Sequence, residues 1–108
     1  MQSAIWLSFD LGVRGDYEGI YAWLDSNGAI ECGDSMAHLK YEHSGDLITD
    51  LKADLKNSVG ITKKTRIYII YRDTEKDTWK GKFIIGTRKA APWSGFGSSG
   101  EQDEEGEV

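Results

Sequence analysis

The chain has one cysteine, one proline and two histidines in 108 residues, and these shortages close off whole classes of chemistry. The single thiol, Cys32, cannot close an internal disulfide, and with only His38 and His43 beside it no ligand spacing matches a structural zinc site. Cys32 is expected to act as a small buried hydrophobe. The two histidines stand five residues apart in a strand-to-turn segment, are expected at the surface or its rim, and have no serine or cysteine partner arranged for nucleophilic catalysis. No apolar run approaches the roughly 20 residues that cross a bilayer. The N-terminus MQSAIWLSFDLG lacks the basic start and small-residue cleavage site of a signal peptide. The expected setting is cytoplasmic, with no membrane contact.

What the chain does hold is enough apolar material for one core, 39% hydrophobic with 11% aromatic, and a length that suits a single domain. The domain is expected over 1–93, followed by a flexible Gly/Ser-rich and acidic tail over 94–108, whose composition cannot bury enough surface to order itself. The net charge of -5 is unevenly spread. Residues 101–108, EQDEEGEV, hold five acids and no base, so the first 100 residues sum to zero. Within them, residues 1–59 carry 4 Lys/Arg against 10 Asp/Glu, and residues 60–100 carry 9 against 3.

Hydrophobic periodicity outlines the elements. Ile5, Leu7, Phe9 and Leu11 alternate with Trp6, Ser8 and Asp10, the period of a strand with one face on a core. Gly12 and Gly15 break that strand, and Asp16 is placed to N-cap a helix with Tyr17, Ile20, Tyr21 and Leu24 on one side, ending at Asn27-Gly28. Residues 29–42 read as two short strands or one bulged strand, with Gly33-Asp34 at the irregularity. A second helix over about 46–58 has Leu47, Ile48, Leu51 and Leu55 as its apolar stripe. TRIYIIYR at 65–72 is the strongest strand and is expected at the centre of the sheet, and after a polar connection, DTEKDTWKG, KFIIGTR at 82–88 forms the last one. The order β-α-β-β-α-β-β predicts an α+β, ferredoxin-like sandwich: an antiparallel sheet of four to five strands with two helices on one face.

Phe9-Asp10 at the end of strand one, a helix closing on Gly28, the Ser35-Met36-Ala37 segment, a DLKADLKNSV helix and then TRIYIIY together resemble CRISPR-associated protein two. That family is the small ferredoxin-like subunit of the spacer-acquisition complex, with relatives among the virulence-associated protein D ribonucleases. The resemblance spans roughly residues 4–72. It implies a homodimer and, in nuclease members, a divalent ion held by the aspartate that ends strand one, here Asp10. Asp10 is thus the candidate catalytic residue and metal ligand, and Mg²⁺ or Mn²⁺ the candidate cofactor of a metal-dependent endonuclease. The other reading of Asp10 is a strand-end residue that caps the glycine loop. The arginine-rich stretch expected after strand one departs into GVRGDYEG, leaving Arg14 alone among acids.

The basic half is the best functional lead. Lys80, Lys82, Arg88 and Lys89 interleave with Trp79 and Trp93, and with Arg14 they form the candidate nucleic-acid-binding set, since cations track phosphates and aromatic faces stack on bases. The same lysines also suit a solvated strand edge. Two functions therefore stand side by side: a nucleic-acid-associated dimer, or a non-enzymatic protein-interaction module of the antitoxin, immunity or phage-inhibitor kind, using its sheet edge and acidic tail. The absence of a convergent catalytic constellation weighs against an enzyme.

Overall fold

The structure, a computed structural model, describes residues 1–97, so of the tail expected over 94–108 the part from 98 onward lies outside the described residues. Seven elements follow one another: β1 (Gln2–Asp10), α1 (Tyr17–Ser26), β2 (Ile30–Gly33), β3 (Met36–Glu42), α2 (Leu47–Ser58), β4 (Arg66–Asp73) and β5 (Thr78–Ile85). The five strands form one sheet in the order β2-β3-β1-β4-β5, with every neighbouring pair antiparallel. The fold is α+β. Among the described residues no helix is long and apolar enough to cross a membrane.

β1 is the middle strand, paired with β3 on one side and β4 on the other, and its alternation organises the molecule. Ile5, Leu7 and Phe9 enter one core with Leu39, Tyr41, Ile67 and Ile69 from the flanking strands, and with Ile20 and Trp23 of α1 and Leu51 and Leu55 of α2. Both helices therefore cover the same face of the sheet. Trp6, Ser8 and Asp10 point to the opposite face, which no helix among the described residues covers.

Each helix begins at a capping aspartate, for α1 the Asp16 read from the sequence. The Asp16 carboxylate accepts the Gly19 N–H at 2.9 Å and also the Gly60 N–H at 2.7 Å, so one side chain caps α1 and ties it to the chain leaving α2. Asp46 caps α2 through the Thr49 N–H at 3.0 Å. Between the helices, Asp54 accepts hydrogen bonds from the Trp23 indole and the Tyr41 hydroxyl, both at 3.0 Å, linking α2 to α1 and β3. Burial, reinforced by the hydrogen bond to Asp54, pushes the Tyr41 phenol above its usual range.

Several expectations need correction. Trp23, and not Tyr21, fills the inward face of α1; Tyr21 is 52% exposed and rests on Phe9 and Tyr17. Cys32 is exposed, because β2 is a four-residue edge strand with no residue in the core. His43 is buried and His38 half-buried: the His43 ring bridges the Ser3 hydroxyl and the Gly45 carbonyl, each at 2.7 Å, and stacks on Tyr41. The 29–42 segment is two strands, as one of its two readings expected, with a register shift between Glu31 and Gly33 and the turn at Asp34-Ser35. β4 is an inner strand, but the centre belongs to β1. The last strand starts four residues early, at Thr78, because the turn is confined to 74–77. There the Asp73 carboxylate accepts the N–H groups of Glu75 and Lys76, and Asp77 adopts a left-handed φ of 55°.

The exchange of Trp23 for Tyr21 is testable by urea unfolding. Trp23→Ala is expected to cost about 3–5 kcal/mol, and Tyr21→Ala no more than about 1 kcal/mol. Equal shifts in the unfolding midpoint would show that α1 is rotated relative to this packing.

Candidate nucleic-acid interface

The uncovered face carries two groups of rings, His38–Trp6–Trp79 and Tyr68–Phe83. Register places His38, Trp6 and Ile70 side by side across β3, β1 and β4, and Tyr68 opposite Phe83 across β4 and β5. Trp6 packs on His38, with ring centroids 4.7 Å apart, and edge-on against Trp79, at 5.4 Å. Tyr68 meets Phe83 edge-on at 4.8 Å. Gly81 makes this possible: a Cβ there would stand 1.9 Å from the Tyr68 hydroxyl, so the bare backbone lets Tyr68 lie across β5.

Arginines lie on the rings. The Arg66 and Arg88 guanidinium carbons are 5.8 and 5.4 Å from the Phe83 ring centre, and that of Arg72 is 5.5 Å from Trp79. Arg72 also pairs with the Asp77 carboxylate. At the Phe83 end a depression of about 370 Å³ is lined by Ser8, Asp10, Arg66, Tyr68, Phe83 and Arg88. It adjoins a second, of about 440 Å³, that shares Asp10, Arg66 and Arg88 and adds Lys63, Lys64 and Lys89. Five cations thus surround one acid. Gly86, with φ +78° and a would-be Cβ 2.4 Å from the Thr65 carbonyl, ends β5 and turns Arg88 and Lys89 back toward Asp10.

Asp10 is engaged by these cations. Arg66 donates to its carboxylate at 2.9 Å, Lys89 lies at 3.7 Å, and the other carboxylate oxygen accepts the Gly12 N–H at 3.3 Å. The Arg66 hydrogen bond, together with the Gly12 N–H and the Lys89 charge, holds the carboxyl below its usual range against a smaller opposing effect of burial. The residues here do not fit a divalent cation. Mg²⁺ takes oxygen ligands, and what faces Asp10 is guanidinium and ammonium. Among the described residues no group of three His, Cys, Asp or Glu side chains converges.

The residues singled out in the sequence are only partly brought together. Arg88 and Lys89 join Asp10, and Trp79 joins the ring row. Lys82 lies opposite the buried Ile69 and Lys80 opposite Tyr71, so both stand on the helix side, where Lys80 pairs with Asp73 at 2.7 Å. Arg14 is exposed in the loop before α1, and Trp93 is exposed in the turns at 92–97, outside the row. Sequence reasoning missed Trp6, Tyr68, Phe83, Lys63, Lys64 and Arg66. The legible signal was the alternation of β1 and β4, which sets Trp6, Arg66 and Tyr68 out of phase with the core.

The Asp10–Arg66 pair gives a pH signature. Because the Asp10 pKa is lowered by folding, its stabilisation is present above the ordinary carboxylate pKa and is lost as pH falls through the lowered value. The carboxylate is about half exposed, which limits the effect to at most about 1 kcal/mol. Denaturant unfolding should therefore show Asp10→Asn less stable than wild type at pH 7 and equal to it in strong acid. A difference that persists in acid would contradict the pairing.

With this geometry described, comparison adds no relative: no protein-family model matches the chain, and no curated protein and no solved structure matches it.

Proposed function

We propose that this protein binds nucleic acid through the helix-free face of its sheet, with the phosphate backbone held at the basic end around Asp10. The observation that carries the reading is the gathering of Lys63, Lys64, Arg66, Arg88 and Lys89 about one carboxylate already neutralised by Arg66. On this reading the domain is a ferredoxin-like sandwich. The β2-β3-β1-β4 order and the two helices on one face support that assignment, with β5 added beside β4. The likeness to the spacer-acquisition subunit, and the homodimer it implies, belong to the same proposal.

Binding without cleavage is the form the geometry favours. A divalent ion at Asp10 would have to displace Arg66 and meet the Lys89 charge, whereas a phosphate oxygen would be attracted by both. One observation favours the protein-partner reading: β2 is an edge strand whose outer side has no neighbour among the described residues, and Ile30 on it is 67% exposed.

Binding of labelled oligonucleotides at about 50 and about 200 mM salt tests the proposal. Wild type should lose affinity steeply with salt. Replacing Arg88 and Lys89 together with alanine should flatten the slope of log K against log salt by about 1.4 for a single strand. Asp10→Asn should bind more tightly, since it removes the one negative charge in the cluster. Metal-dependent cleavage that disappears in Asp10→Asn would instead establish the nuclease reading, and no binding in any variant would leave the protein partner as the better account.

A further inference from the structure

We infer that the helix-free face is a stacking platform selective for single-stranded nucleic acid, with Trp79 the ring on which a base is stacked. The inference rests on the nucleic-acid reading above and names the substrate class of that site.

Trp79 is large, flat and half exposed, at 50%. It is also held in place. Trp6 packs edge-on against it at an interplanar angle of 68°, and Arg72, anchored on Asp77, lies over its ring. A ring fixed before binding loses little rotamer entropy when a base arrives. Base-aromatic stacking is sequence-tolerant, because every base has a π-face.

The phosphate-binding end and Trp79 share β5. Phe83 at the basic depression is four residues from Trp79, about 13 Å along the strand, a distance that a few nucleotides cover. One strand can therefore set its phosphates among Arg66, Arg88 and Lys89 while a neighbouring base reaches Trp79.

A duplex does not meet these features. Its base faces are already stacked on each other, and readers of its grooves insert a helix or a two-stranded ribbon. Here both helices lie on the far side of the sheet, and that side carries the capping acids Asp16 and Asp46. On the ring face Asp10 pairs with Arg66, and Asp77 with the Arg72 that lies over Trp79. Unbonded base faces, exposed only in a single strand, are what a wall of rings edged with cations can take.

The test uses the full chain with labelled oligothymidylate, oligouridylate and a duplex of equal length, across a salt series. The variants are Trp79→Leu, Trp79→Phe and the Arg88/Lys89 double alanine, each checked for an unchanged thermal midpoint. Wild type should prefer single strands, and Trp79→Leu should lose about tenfold in single-strand affinity with an unchanged salt slope. Trp79→Phe keeps a π-face and should restore most of the loss. Stacking is overturned, with phosphate binding intact, if duplex and single strands bind with equal salt-dependent affinity and Trp79→Leu matches wild type. No salt-dependent binding to any probe would overturn both readings. Sedimentation of the same variants gives the last arm: a wild-type dimer dissociated by Trp79→Leu, with oligonucleotide affinity unmoved, would assign this face to a second copy of the chain and end the proposal.

Discussion

Everything in this molecule depends on the strict alternation of β1 between its two hydrogen-bonded neighbours. A central strand has both edges occupied, so its side chains have only two directions to take. Ile5, Leu7 and Phe9 take the side that the helices cover, and Trp6, Ser8 and Asp10 are left on the other. A slip of one residue would bury Asp10 and expose the core. The register that fills the core therefore also builds the ring row and places the carboxylate at its end.

The helices reinforce this division electrostatically. Their N-termini need acceptors for free N–H groups, and Asp16 and Asp46 supply them, which draws acidic residues to the helix side. Five of the nine cations of residues 60–100 gather where β4 begins and the chain leaves β5, around Asp10. A domain whose first 100 residues are neutral thus has a polarised surface. The overall negative charge owes everything to residues 101–108 and says little about the sheet face.

Asp10 illustrates how a resemblance and a geometry can assign different chemistry to one residue. The resemblance read in the sequence implies a metal ligand, an expectation that no comparison supports. Its surroundings make it the counter-ion of Arg66 and Lys89 and the acceptor of the Gly12 N–H. A carboxylate so placed orients the arginine and leaves the guanidinium free to meet a second anion, since a planar donor fork serves more than one acceptor. Lys80 and Lys82 show the reverse: one and three residues from Trp79 in sequence, they are separated from it by the pleat, and Lys80 is occupied by Asp73.

Local physics was legible in the chain itself. The period of two in β1, the apolar stripe of α2, the capping aspartate Asp16 and the glycine stops depend on near neighbours, so their placement followed from sequence. The inward face of α1, the four-residue shift of β5, the exposure of Cys32 and the burial of His43 did not. Each depends on which strand lies beside which, a choice made by contacts distant in sequence. Asp10 and Arg66 are 56 residues apart, and Trp6 and Trp79 lie two strands apart across β4. Sequence determined which residues alternate and where the helices begin, whereas the tertiary structure alone decided which of them share a face, because side-chain proximity across a sheet is set by strand order and register.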